Sequence, residues 1–334
     1  MKYTNLGRSG LKVSRICLGC MTYGKPASTP EEIAAGHHPW TLSEAESQPF
    51  FRKALDLGIN FFDTANGYSD GDSEEVLGRF LNKNVARESV VIATKVFAPM
   101  RKDPNGAGLS RKAITHELNQ SLRRLQTDYI DLYQTHYWDA DTPIDETLEA
   151  FNDAVRAGKV LYLGACMPNA WQFAKSLYRA DLNSWTRFVS MQNHYNLLYR
   201  EEEREMLPLC REEGIGVIPW SPLARGRLTR PWQSVETDRL KTDRFGQFIY
   251  SAKTEEGDKA VVAKLCEIAG QRGVAPARVA LAWLLGKPGI VAPIVGATKP
   301  VHLDDAVAAL DIALTAEEVA ALEAPYHPRM PVFS

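Results

Sequence analysis

Short apolar or β-branched runs alternate with amphipathic stretches along nearly the whole chain, and the alternation repeats eight times. The predicted strands are 15–19, 60–63, 90–95, 130–135, 160–164, 188–192, 215–219 and 291–295. Between and after them, helical patterning falls near 43–57, 73–82, 110–125, 144–157, 169–179, 200–213, 258–272 and 301–310. Strands joined through helices pair in parallel, because a parallel connection needs a crossover. Eight β-then-α units therefore predict an α/β fold closed as a (β/α)8 TIM barrel. A doubly wound sheet is the competing architecture. It calls for G-x-G-x-x-G at a strand-to-helix turn, and the nearest piece, Gly214-Ile-Gly216, opens a strand and lacks the third glycine. Neither a P-loop nor an H-E-x-x-H motif occurs.

Local signals sharpen the frame. Ser43-Glu-Ala-Glu46 reads as a capping box, and Thr142-Pro143 as an N-cap followed by proline at the first helical position. Residues 3–14 read as a β-hairpin turning at Gly7–Gly10, ahead of the first barrel strand. Loops 24–42 and 223–257 are too long for plain alternation, and long βα loops open at the C-terminal face of a barrel, where active sites are built. No shift in composition divides residues 1–334, which are read as a single domain.

Charge and composition exclude several roles. Lys and Arg total 39 against 41 Asp and Glu, a net charge of −2, so no bulk field draws the chain to nucleic acid or an anionic membrane. No apolar run reaches the roughly 18–20 residues of a membrane span. The opening MKYTNLGRSGLKVSRI has no apolar leader core, and the expected location is cytoplasmic. Five scattered cysteines (17, 20, 166, 210 and 266) fit reduced thiols better than a disulfide framework. Cys17-Leu-Gly-Cys20 lacks a second pair and reads as part of a strand and its turn. The adjacent His37 and His38 likewise lack ligand spacing, and no metal is expected. The run Arg200-Glu-Glu-Glu-Arg204 reads as a solvated helix face.

Chemistry gathers at the strand ends. Asp63 closes the second predicted strand, with Tyr68 five residues on; Lys95 closes the third and His136 the fourth. Each residue alone has a structural explanation, as a turn cap, loop packing, a solvated strand end or a core histidine. Four of them on one rim of consecutive units point to a site.

These residues sit in motifs that resemble the aldo-keto reductase family. The motifs are Leu57-Gly-Ile-Asn-Phe-Phe-Asp63-Thr-Ala-x-x-Tyr68, Ser73-Glu-Glu-Val-Leu-Gly78, Tyr129-Ile-Asp-Leu-Tyr-Gln-Thr-His136, Pro219-Trp-Ser-Pro-Leu-Ala-Arg-Gly226 and Pro293-Ile-Val-Gly296. The resemblance spans nearly the whole chain, and the long loop after strand seven is most like the bacterial and potassium-channel-β-like branches. It implies NADPH-dependent reduction of aldehydes or ketones without a metal, NADH being the alternative cofactor. Tyr68 would be the general acid, Lys95 the cation that favours its tyrosinate, Asp63 the partner of Lys95, and His136 the group orienting the substrate oxygen. The cofactor would be held by Gln192, Trp220, Ser221, Leu223, Gly226, Gly296, Thr298, Lys299, His302 and Asp305. Trp220 would stack on the nicotinamide, and Lys299 would meet a 2′-phosphate. The chain departs from the family pattern at Cys166-Met167, His302 and Asp305-Ala306, where a Ser-Asn pair, a glutamine and a Glu-Asn pair are usual. Tyr23, Tyr137, Trp138 and Tyr195 are expected near the mouth, favouring apolar or aromatic carbonyls. A regulatory, cofactor-binding subunit like the potassium-channel β relatives is the alternative function. Oligomeric state is not readable.

Overall fold

The computed structural model describes residues 1–34, 37–232, 242–250 and 254–331. Parts of the two long predicted loops, at 35–36, 233–241 and 251–253, lie outside the described residues. Strands β1 (Tyr3–Asn5) and β2 (Lys12–Ser14) form the expected antiparallel hairpin. Eight parallel strands follow: β3 (Cys17–Gly19), β4 (Phe61–Asp63), β5 (Val91–Val96), β6 (Ile130–Thr135), β7 (Val160–Cys166), β8 (Phe188–Gln192), β9 (Gly216–Val217) and β10 (Ile294–Val295). From β3 to β8 each pairs with its successor, and β10 returns to lie beside β3. The remaining gap is bridged by Val291 N donating to Val217 O at 2.8 Å and Ile294 N donating to Pro219 O at 2.9 Å. All eight predicted strands are present, and the architecture is the (β/α)8 barrel.

The outer layer comprises α1 (Pro30–Ala34), α2 (Glu44–Asp56), α3 (Asp72–Asn84), α4 (Arg111–Leu125), α5 (Ile144–Arg156), α6 (Ala170–Leu182), α7 (Met206–Glu213), α8 (Arg244–Ile249), α9 (Glu255–Arg272), α10 (Pro276–Leu285), α11 (Pro300–Ala308) and α12 (Ala316–Glu323). The Ser43 capping box forms as expected, with Glu46 accepting from Ser43 N at 2.9 Å. The Thr142-Pro143 reading needs correction. Pro143 itself is the N-cap of α5, because Thr142 spends its hydroxyl on Asp139, 2.7 Å away. Helix α10 escapes the periodicity test because it is apolar nearly all round, with Val279 to Leu284 buried without a break.

The 200–204 run is also corrected. It forms a short turn at Glu201–Glu203, and its charges are not a solvated face. Glu201 accepts from Tyr326 Oη at 2.6 Å and Arg329 N at 2.8 Å, while Arg200 donates to Glu203 at 2.7 Å and to Glu323 at 2.9 Å. Glu201 can be buried because the C-terminal segment supplies its donors. Among the described residues no helix is long and apolar enough to cross a membrane.

Two apolar shells position the site. One fills the barrel interior with Cys17, Phe61, Val91, Ala93, Leu132, Ile218, Val291 and Ile294, and the hairpin adds Leu6 and Val13 as a plug. The other lies between strands and helices. Burying each large apolar side chain contributes roughly 1.5–3 kcal/mol. The plug needs Gly7, whose φ is +59° and whose added Cβ would lie 2.6 Å from Gly214 O. The interior apolar shell thus ends below Asp63 and Lys95, leaving the C-terminal mouth to polar groups.

Candidate active site

Asp63 ends β4, Lys95 is the penultimate residue of β5, and His136 directly follows β6. Tyr68 opens a 3-10 turn at Tyr68–Gly71, in which Ser69 and Asp70 adopt positive φ. The structure brings all four together. Lys95 Nζ donates to Asp63 Oδ1 at 2.5 Å, to Thr64 O at 2.8 Å and to Tyr68 Oη at 3.3 Å. The Tyr68 and His136 rings meet edge to face, with centroids 5.6 Å apart.

Burial and Lys95 act oppositely on Tyr68. Burial raises the phenol's pKa and the ammonium lowers it; burial wins, and the pKa is pushed up to about 12. Lys95 thus favours the tyrosinate, as expected of it, while burial opposes it more strongly. Desolvation opposes charge on Lys95 too, yet Asp63 and its other neighbours overcome it, and the ammonium is held above its ordinary range. Burial, and then the Lys95 charge, push the His136 imidazole well below its usual pKa, so it is neutral at pH 7.

Of the other motif residues, Gln192 joins this cluster. Gln192 ends β8, and its Nε2 donates to Asp63 Oδ2 at 2.9 Å. Trp220 stacks on His194 with centroids 4.3 Å apart, and His194 stacks on Tyr199 at the same distance. This three-ring pile sets the plane of the indole. Ser221, Ala224, Arg225 and Gly226 all have positive φ, so the loop carrying Ser221, Leu223 and Gly226 is tightly wound. Gly296 and Thr298 lead from β10 to Lys299, which is the N-cap of α11 and lies at the surface. His302 Nδ1 accepts from Thr298 N at 3.3 Å, and Arg278 donates to Asp305 at 2.7 Å. Cys166 ends β7, with Sγ 3.9 Å from Gln192 Oε1.

The expected aromatic mouth is only half correct. Tyr137 stacks on His136 at 5.0 Å and approaches Phe97 at 5.4 Å, and Trp138 lies 6.2 Å from Trp171. Tyr23 and Tyr195 are fully buried elsewhere. Tyr23 packs on Phe50 and Phe51 of α2 and donates to Ala297 O, while Tyr195 packs on Trp283 of α10 and donates to Glu203. Sequence reasoning missed Gln134, His194 and Asn66. Gln134 Nε2 reaches Asp63 Oδ2 at 3.0 Å, and Asn66 ties the Tyr68 loop to Glu117 at 3.2 Å. The available signal for Gln134 was a polar residue inside an otherwise apolar strand.

A closed barrel carrying a buried Asp-Lys pair, a tyrosine and a histidine at its mouth defines a class of carbonyl-reducing barrel enzymes. The aldo/keto reductase family model matches residues 15–326, and the chain belongs to that family. It is 42% identical to the versiconal hemiacetal acetate reductase of Aspergillus parasiticus, over 98% of both chains. It is 41% identical to an aldo-keto reductase of Fusarium vanettenii, over 98% of this chain and 91% of that one. A Schizosaccharomyces pombe protein provisionally named an aryl-alcohol dehydrogenase is 42% identical, over 98% and 96%. The protein is thus an NAD(P)H-dependent oxidoreductase that reduces carbonyl groups.

Proposed function

We propose that this protein reduces apolar or aromatic aldehydes and ketones with NADPH, as one barrel domain, using Tyr68 as the general acid. The observation that carries this reading is the hydrogen-bond direction at Lys95. An ammonium only donates, so Tyr68 Oη accepts from Lys95, and the phenolic proton stays available for the mouth. A substrate oxygen placed there meets the Tyr68 hydroxyl and an N–H of the neutral His136, two donors where negative charge develops. Tyr68 gives its proton to that oxygen, and the tyrosinate left behind is stabilised by Lys95 until solvent reprotonates it. Asp63 holds Lys95 charged and in place.

The residues present fit a dinucleotide. Trp220 offers a flat ring in a fixed plane, Gln192 a carboxamide beside Asp63, and Ser221, Leu223 and Gly226 lie on the wound loop that follows Trp220. Gly296, Thr298 and the start of α11 favour phosphate, and Lys299 adds the cation a 2′-phosphate requires. His302 and Asp305 border the same helix. When bound, the dihydronicotinamide supplies the hydride for the carbonyl carbon. The aromatic group of Phe97, Tyr137, Trp138 and Trp171, together with the aryl-alcohol name of one relative, supports the substrate class. The test is a panel of aromatic, aliphatic and sugar aldehydes with NADPH and NADH. Turnover of the aromatic members with NADPH is expected; tight NADPH retention with no turnover on any member would favour the regulatory-subunit reading instead.

A further inference from the structure

The Asp63 carboxylate receives three side-chain donors, and only one is the lysine. Lys95 meets Oδ1, whereas Oδ2 accepts from Gln134 Nε2 at 3.0 Å and Gln192 Nε2 at 2.9 Å. The two amides also bond to each other, Gln192 Nε2 donating to Gln134 Oε1 at 3.3 Å. All four residues are at most 2% exposed. The barrel is shaped to admit Gln134. It is the register partner of Lys95 on one side and of Gly164 on the other. A Cβ added at Gly164 would lie 2.9 Å from Gln134 Cγ and 2.4 Å from Ser190 Oγ, so the glycine leaves the room the amide needs.

We propose that Gln134 is a positioning residue for carbonyl reduction, acting through Asp63 and Lys95 on Tyr68; the inference rests on the catalytic reading above. The terminal torsion of an aspartate is soft, so its two oxygens interchange readily unless something holds them. With Oδ2 open, Lys95 could straddle both oxygens and draw its third hydrogen away from Tyr68. With Oδ2 filled by two amides, Lys95 is confined to Oδ1 and Thr64 O, and the third N–H points at the phenol oxygen. Gln192 shares this task, but its Oε1 lies beside Cys166 Sγ, 3.9 Å away, outside the Asp63 cluster. Gln134 spends both ends of its amide inside the Asp63 cluster, and is the cleaner test.

The experiment compares wild type, Gln134→Leu, Gln134→Glu and Tyr68→Phe. Its readouts are thermal unfolding, NADPH affinity by fluorescence titration, and kcat, KM and their pH profiles for an aromatic aldehyde. Gln134→Leu keeps the volume and removes the amide. We expect kcat to fall about 10- to 100-fold, the scale of a misaligned reacting group, with KM and NADPH affinity within about twofold.

Gln134→Glu is nearly isosteric and guards against a folding failure of the leucine variant. Ionised, the new carboxylate cannot donate to Asp63 Oδ2 and repels it; protonated, it can donate. Gln134 contacts Asp63 of β4, and among the described residues the titratable groups that interact with Asp63 or Lys95 are Cys17, Cys20, Tyr68, His136, Tyr137 and Cys166. Activity of this variant is therefore expected to rise as pH falls, a limb absent from wild type. The inference is overturned if Gln134→Leu retains kcat within about threefold and Gln134→Glu keeps the wild-type pH profile. A loss of NADPH affinity matching the loss of kcat overturns it too, since Gln134 would then act through the cofactor pocket. If Tyr68→Phe itself retains turnover, the catalytic reading fails, whatever Gln134 does.

Discussion

Tyr68 accepts a hydrogen bond from Lys95, 3.3 Å away, and that ammonium has no further hydrogen to give, its other two being spent on Asp63 and Thr64. The lysine thus orients the phenol without consuming its proton. A phenol, ordinarily near ~10, is protonated at neutral pH, and burial raises its pKa further. A proton donor that is fixed, neutral and beside a permanent cation suits reduction, where an oxygen gaining negative charge must be protonated.

Tyr68→Phe keeps the ring and deletes the proton. Carbonyl reduction should fall by at least ~10²-fold, the lower range for a positioned general acid, while NADPH affinity stays nearly unchanged. Steady-state kinetics and a fluorescence titration measure the two. Near-normal turnover would remove Tyr68 from the acid's role.

The pH profile of reduction should be flat across roughly pH 6 to 9, because neither proton-bearing ring titrates there. Tyr68, pushed up to about 12, keeps its proton as pH rises until that value is approached. His136, pushed well below its usual value, stays neutral as pH falls through the ordinary histidine range. An acidic limb in kcat/KM near ~6.5 would mean His136 charges normally and that its burial is not maintained. Lys95→Met removes the cation that lowers the phenol's pKa, so Tyr68 should shift further upward. Activity should drop, because the tyrosinate left after proton transfer loses its counter-charge.

Replacing Lys299 tests the choice of cofactor. A 2′-phosphate held by one charge-assisted contact should bind about ten- to a hundred-fold more weakly in Lys299→Ala, with NADH affinity almost unchanged. Dissociation constants for both cofactors, measured for wild type and variant, check this. Equal losses would assign Lys299 to a part common to both dinucleotides.

Gly67 makes room for the turn that carries Tyr68. A Cβ there would lie 2.5 Å from Ala98 Cβ, closer than two carbons can approach, so the turn must move. Gly67→Ala should lower kcat by on the order of tenfold or more through misplacement of the acid. Adding Ala98→Gly removes the obstructing methyl and should restore most of the loss. A double variant as slow as the single one would place the cause in backbone conformation instead.

Much of this was legible without coordinates, and the boundary is physical. Strand and helix periods are local properties of a chain, so eight alternating units announced the barrel, and motifs at strand ends marked Asp63, Tyr68, Lys95 and His136 as a group. Side-chain direction is not local when both faces of a strand are buried. All six residues of Ile130–Thr135 are buried, so no alternation of polarity shows that Tyr133 turns out to pack on Phe151 while Gln134 turns in to Asp63. Tyr23 and Tyr195, expected at the mouth, instead pack against Phe51 of α2 and Trp283 of α10, partners far away in sequence. Helix α10 was invisible because burial on nearly every side erases the amphipathic period. The fate of the Arg200–Arg204 charges depended on a segment more than a hundred residues away. The direction in which the Tyr68 pKa moves depended on a contest between desolvation and one cation, and the degree of enclosure that settles it exists only once the barrel has closed around the site.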